Sequence, residues 1–139
     1  MIKGVKITPL KVFSNDNGKI MHMMKNTDQS FTKFGEIYFS EIFPGKLKAW
    51  SRKKKSTRNY AVIEGSIKLV LYDGEEIQEI TIGEDNYCLV TIPPGVWSGF
   101  KSINKKKAIV ADLTDFPFDE NDEEKVDPYS LTNYWKEDK

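Results

Sequence analysis

The stretch Asn59-Tyr60-Ala61-Val62-Ile63-Glu64-Gly65-Ser66-Ile67-Lys68-Leu69-Val70-Leu71-Tyr72-Asp73-Gly74-Glu75-Glu76-Ile77-Gln78-Glu79-Ile80-Thr81-Ile82-Gly83 decides the fold class. Its residues are largely β-branched and aromatic, several runs alternate apolar with polar, and no helical period is sustained. Three strands are read here, at 59–63, 66–72 and 76–82. Glu64-Gly65, Asp73-Gly74 and the following Gly83-Glu84-Asp85-Asn86 punctuate them with residues that tolerate positive φ or bond their own backbone, so a hairpin is expected at each. Upstream, 35–43 reads as another strand. Downstream, Pro93-Pro94-Gly95 cannot sit inside a sheet, because two prolines remove two ladder donors. It marks a corner after a strand ending at Ile92, beyond which Trp97 and Phe100 re-enter the structure. Short strands at this spacing predict an all-β sandwich or barrel.

The chain has 139 residues, enough for one domain with a real core. Lys plus Arg number 21 and Asp plus Glu also 21, so no net field draws the molecule to nucleic acid or to an anionic membrane. No apolar run is long enough to span a bilayer, and a cytoplasmic location is expected. Cys88 is the single cysteine; it lies in the apolar run Tyr87-Cys88-Leu89-Val90 and reads as a buried, inert thiol. From Asp112 onward the chain turns acidic but keeps Phe116, Phe118, Tyr129, Tyr134 and Trp135. A purely acidic block would be disordered; the interleaved rings predict an extended arm packed on the body of the domain or on a partner subunit. The division expected is one domain over 1–139, with the barrel at about 5–113 and the arm at about 114–139.

The segment Gly45-Lys46-Leu47-Lys48-Ala49-Trp50-Ser51-Arg52-Lys53-Lys54-Lys55-Ser56-Thr57-Arg58-Asn59-Tyr60-Ala61-Val62-Ile63-Glu64-Gly65 resembles the glycine-to-glycine framework of the first cupin motif. Ile92-Pro93-Pro94-Gly95-Val96-Trp97-Ser98 resembles the second. In metal-binding cupins these frameworks carry three histidines and a glutamate. The resemblance puts Ser51, Lys53, Arg58 and Ser98 in their places. Imidazole, thiolate or carboxylate donors are missing and two cations repel a divalent ion, so neither a metal nor any other cofactor is expected.

With Gly35-Glu36-Ile37-Tyr38-Phe39-Ser40, Lys48-Ala49-Trp50, Ile67-Lys68-Leu69-Val70-Leu71-Tyr72-Asp73 and Gly83-Glu84-Asp85-Asn86, the chain is similar over residues 5–120 to a short branch of the dTDP-4-dehydrorhamnose 3,5-epimerase family. That resemblance implies a cupin jelly-roll β-barrel, usually a homodimer. It also implies a nucleotide-linked 4-keto-6-deoxy sugar in the barrel mouth, where protons beside the keto group are removed and returned, as in surface-polysaccharide synthesis. The work requires a base and a stabiliser of the enolate oxygen. The family's base histidine corresponds to Ser51, its second pocket histidine to Ser98, its tyrosine to Ala111, its lysine to Arg58 and its arginine to Lys48. Cations survive and proton carriers are lost.

Candidate substrate-binding residues are Lys48, Trp50, Ser51, Lys53, Arg58, Tyr60, Trp97 and Ser98. Inward members of the basic cluster, Lys53 and Arg58, are suited to clamp a diphosphate, while Arg52, Lys54 and Lys55 read as solvating a turn. Trp50, Tyr60, Trp97 and Phe100 either stack on a base or sugar, or pack the core. Catalytic candidates are Tyr60, Lys53 and Lys48, because an unassisted serine is a poor base. His22, the single histidine, belongs to an N-terminal strand and reads as structural. Three functions stay open: a metal-independent isomerase using unfamiliar groups, a sugar-nucleotide binder that lost its base, and a structural cupin with a filled pocket.

Overall fold

The computed structural model describes residues 1–138. Among them the strands are β1 (Lys6–Pro9), β2 (Val12–Asn15), β3 (Gly18–Met21), β4 (Glu36–Ile42), β5 (Leu47–Lys53) and β6 (Arg58–Glu64), followed by β7 (Ser66–Tyr72), β8 (Ile77–Gly83), β9 (Cys88–Ile92), β10 (Trp97–Ser102), β11 (Ala108–Thr114) and β12 (Glu123–Lys125). A single 3-10 turn, Tyr134–Asp138, follows. One sheet has the order β1-β9-β6-β11-β4 and the other β12-β5-β10-β7-β8, while β2 and β3 form a separate hairpin. Every pairing is antiparallel. The two large sheets face each other in the all-β jelly-roll barrel expected from the sequence. No helix among the described residues is long and apolar enough to cross a membrane.

Pleating sorts the side chains of each strand between two faces. Tyr60, Val62, Val90 and Val110 from the first sheet meet Ile67, Leu69, Leu71 and Phe100 from the second in the main core. The Tyr60 and Phe100 rings cross edge to face, 6.1 Å apart. Cys88 is buried in this core, which raises its thiol pKa by desolvation.

Of the three hairpins expected, Asp73-Gly74 forms one: β7 pairs with β8 from Tyr72↔Ile77 onward, and the Asp73 carboxylate accepts the Glu75 and Glu76 amides at 2.9 and 2.7 Å. The other two are corners between sheets. β6 is already flanked by β11 and β9, so β7 has no edge there and crosses to the other sheet. Gly65 makes the crossing at φ 75°, where an added Cβ would lie 2.5 Å from the Lys107 carbonyl oxygen. Gly83 and Asn86 bridge each other, but β9 then leaves β8 to pair with β1 and β6.

The re-entry of Trp97 with Phe100 is also corrected. On β10, Ser98 and Phe100 lie opposite Leu71 and Leu69 on the inner face, whereas Trp97 and Gly99 lie opposite Tyr72 and Val70 on the outer face. Trp97 therefore joins Trp50, Val70 and Trp135 in a second, outer cluster. The C-terminal arm builds this cluster. β12 pairs with β5, covering what would otherwise be an open sheet edge; Trp50 and Val126 exchange backbone hydrogen bonds at 3.1 and 3.2 Å, and Trp135 is fully buried.

Candidate active site

The inner face of the barrel opens into a cavity of about 610 Å³. Strand irregularity shapes its wall. Against β10 the register of β5 jumps from Ser98↔Ser51 to Gly99↔Ala49, leaving Trp50 without an opposite residue. Ser51 and Lys48, three residues apart, thereby stand opposite Ser98 and Phe100 on one face. From the other sheet, Tyr38, Ser40, Tyr60, Val110 and Asp112 face the same space, and Glu123, Lys125, Val126 and Asp127 of the arm form its rim.

Of the residues singled out in the sequence, Lys48, Trp50, Ser51, Tyr60 and Ser98 line this cavity and Lys53, Arg58 and Trp97 do not. Trp97 is on the outer face, beneath the Arg52 guanidinium at 4.3 Å from its ring. Lys53 is 4% exposed, with its ammonium 3.6 Å from the Glu123 carboxylate and 5.0 Å from the Phe118 ring. Arg58 is 1% exposed. Its Nη1 donates to Ser51 Oγ at 3.0 Å and Ser98 Oγ at 2.8 Å, and its Nη2 to the Val96 carbonyl at 2.9 Å. Neither buried cation presents a free head to a diphosphate. Arg58 instead ties together the two serines that stand where the resemblance places imidazoles. A guanidinium bonded to both hydroxyls makes this donor set unfit for a divalent ion. His22 lies beyond β3, its ring edge-on to Phe13 at 5.4 Å, and borders a separate cleft. Ala111, opposite Phe39 and Ala61, points away from the inner face that holds Val110 and Asp112.

The remaining basic residues meet the acidic arm. Arg52 Nη2 donates to Glu124 at 2.8 Å. Asp122 Oδ1 accepts the amides of Lys54 and Lys55 at 3.0 and 2.6 Å, and its Oδ2 accepts Ser56 Oγ at 2.5 Å. Burial works against the charge of Asp122, but these bonds outweigh it and hold its pKa below the usual carboxylate value.

The proton-carrying candidates fare differently from one another. Lys48 Nζ donates to Ser40 Oγ and to the Glu41 carbonyl at 2.8 and 2.7 Å. Burial raises the pKa of the Tyr60 hydroxyl, against the pull of Arg58, so Tyr60 is a hydrogen-bond donor at neutral pH and not a base. Two residues that sequence reasoning passed over are chemically more pointed. Asp112 is 2% exposed, and its Oδ1 has no hydrogen-bond partner among the described residues. Burial raises its pKa to about 6, against the hydrogen bond from Tyr38, the charges of Arg58 and Lys53 and the Asn59 amide. Tyr38 is pushed strongly upward by burial and by the Asp112 charge, so it stays protonated. The readable sign was parity: Asp112 falls two residues after Val110 in the apolar run Ala108-Ile109-Val110-Ala111-Asp112-Leu113, which puts a carboxyl on the core face.

Comparison with known proteins places this arrangement. A dTDP sugar isomerase from Desulfovibrio desulfuricans G20 superposes with a TM-score of 0.90 at 36% identity, covering 93% of this chain and 87% of that one. The spore coat polysaccharide biosynthesis protein SpsL of Bacillus subtilis is 27% identical over 91% of this chain and 89% of its own length. The probable low-salt glycan biosynthesis epimerase Agl13 of Haloferax volcanii is 25% identical over 92% of this chain and 88% of its own. The family model FdtA, described as WxcM-like, C-terminal, matches residues 3–130, so the chain belongs to that family and is an epimerase/isomerase-like cupin.

Proposed function

We propose that this protein is a metal-independent isomerase or epimerase of a nucleotide-linked 4-keto-6-deoxy sugar. The observation that carries the reading is the open cavity on the inner face of the barrel. Its 610 Å³ is within the range that holds a small-molecule ligand, so the barrel is not plugged by its own side chains. Aromatic rings at Tyr38, Tyr60 and Phe100 supply apolar walls, while Lys48, Ser40, Ser51, Ser98 and Asp112 supply polar groups. The relatives named above are a dTDP sugar isomerase, a polysaccharide biosynthesis protein and a probable glycan biosynthesis epimerase, and their likeness extends along nearly the whole chain. A binder without chemistry is the less favoured alternative, because it has no need of a buried carboxyl with one oxygen unpartnered and a raised pKa inside the ligand cavity. The Ser51-Arg58-Ser98 grouping supports the metal-independent part of this reading.

We infer further that the working unit is a homodimer. The β2–β3 hairpin exposes Phe13 at 57% and Ile20 at 65%, and β4 exposes Phe39 at 64%; apolar surface of this kind is suited to a second subunit. The test of the activity is incubation of chelator-treated protein with dTDP-4-keto-6-deoxyglucose, followed by chromatographic separation of the sugar nucleotides. A new isomer formed at the same rate with and without chelator supports the reading. Substrate recovered unchanged, with dTDP binding intact, points to the binder.

A further inference from the structure

We propose that Asp112 carries the proton in this cavity and that Tyr38 positions it, an inference that rests on the isomerase reading above. β11 places the Asp112 carboxyl on the inner face, between Tyr38 of β4 and Tyr60 of β6, with which it is in register. The charged groups facing it are Arg58 from β6 and Lys53 from β5. Both of these cations are otherwise engaged, Arg58 with the two serines and Lys53 with Glu123.

A second buried acid in the same chain shows what a structural role looks like. Asp122 has both oxygens occupied by three donors, and its ionised form is stabilised. Asp112 keeps one oxygen unpartnered, and burial raises its pKa to about 6, so that it is a stronger base than an ordinary carboxylate and still ionised at physiological pH. A buried polar atom left without a partner costs stability, and such a cost is characteristic of a working site. The serines are poor bases at neutral pH without a partner to take their protons, and the guanidinium that donates to both hydroxyls lowers their basicity further.

The step balances without any co-reactant. The bond between hydrogen and the carbon beside the keto group breaks, and the proton passes to the Asp112 carboxylate. The electron pair moves into the ring to form an enolate on the former carbonyl oxygen, and the Lys48 ammonium on the cavity wall offsets its charge. Return of a proton to carbon regenerates a ketone and resets the carboxylate. Tyr38 acts through Asp112: its hydroxyl hydrogen-bonds the carboxyl and lowers its pKa.

The test compares wild type, Asp112→Asn and Tyr38→Phe for conversion of dTDP-4-keto-6-deoxyglucose across pH, with dTDP affinity measured alongside. Wild-type turnover should rise with pH through about 6. Asp112→Asn should lose on the order of 10²-fold or more in turnover while dTDP affinity changes little. Tyr38→Phe should move the acidic limb upward. Asp112→Asn retaining most of its turnover overturns the assignment and leaves the isomerase reading standing. Wild type inert toward the keto sugar while binding dTDP overturns both. If Asp112→Asn does not fold, infrared titration of the wild-type carboxyls decides: a group titrating near 6 and shifted by dTDP supports the proposal, and its absence overturns it.

Discussion

Replacing Asp112 by Asn should make the protein more stable while removing its activity. The carboxyl is 2% exposed, and its pKa stands at about 6 against an ordinary 3.8. That gap corresponds to about 3 kcal/mol at 1.36 kcal/mol for each pH unit. The sign follows from proton linkage. Between 3.8 and about 6 the folded form holds a proton that the unfolded chain has released, so stability falls as pH rises through this window and stays lower above it. An amide of the same shape carries no charge to desolvate. The gain of Asp112→Asn over wild type should therefore be near zero below pH 4 and reach about 3 kcal/mol at pH 8. For a chain of 139 residues this amounts to a rise of about 10 °C in Tm. Urea unfolding of both proteins at pH 4, 6 and 8 measures it. A variant less stable than wild type at pH 8 would refute the reasoning, because the carboxylate would then be a structural anchor like Asp122.

Other perturbations probe the surroundings. Arg58→Met leaves the Ser51 and Ser98 hydroxyls and the Val96 carbonyl without their donor and should cost about 3–5 kcal/mol in urea unfolding, more above pH 6 than below it, since it also removes a cation facing Asp112. Asp122→Ala leaves three donors of the turn after β5 without their acceptor and should cost about 2–4 kcal/mol at pH 7; because the Asp122 pKa is depressed, the difference from wild type is present above the ordinary carboxylate pKa and shrinks as pH falls through the folded value. Gly99→Ala places a Cβ 2.5 Å from that of Ala49 and 3.3 Å from Trp135 Nε1, so it should destabilise by about 1–3 kcal/mol and expose Trp135 to acrylamide quenching.

The legible part of the fold was local. Strands at 59–63, 66–72 and 76–82 matched β6, β7 and β8 closely, because β-branched alternation and the Asp-Gly turn depend on neighbours in the chain. The Glu64-Gly65 corner was misread as a hairpin because the same glycine serves a tight turn and a crossing between sheets. Which one forms depends on β9 and β11 having already taken both edges of β6, a long-range fact. The side-chain errors share that origin. Pleating through the basic cluster of β5, its turn and the start of β6 put Lys53 and Arg58 at the ligand, but it does not show that Glu123 arrives from 70 residues downstream to pair Lys53. Nor does it show that Arg58 turns toward Ser51 and Ser98. Asp112 was overlooked because it opens an acidic stretch by composition while belonging to an apolar strand by parity.

The Asp112 carboxyl in the cupin cavity is proposed to labilise hydrogen beside a ketone. Proton NMR in deuterated water, with dTDP-4-keto-6-deoxyglucose and catalytic amounts of protein, tests it most directly. The account predicts protein-dependent loss of the signal from a carbon adjacent to the keto group, faster at pH 8 than at pH 5 and abolished in Asp112→Asn. Signals that persist unchanged while the nucleotide resonances broaden on binding would contradict it and leave a sugar-nucleotide binder in its place.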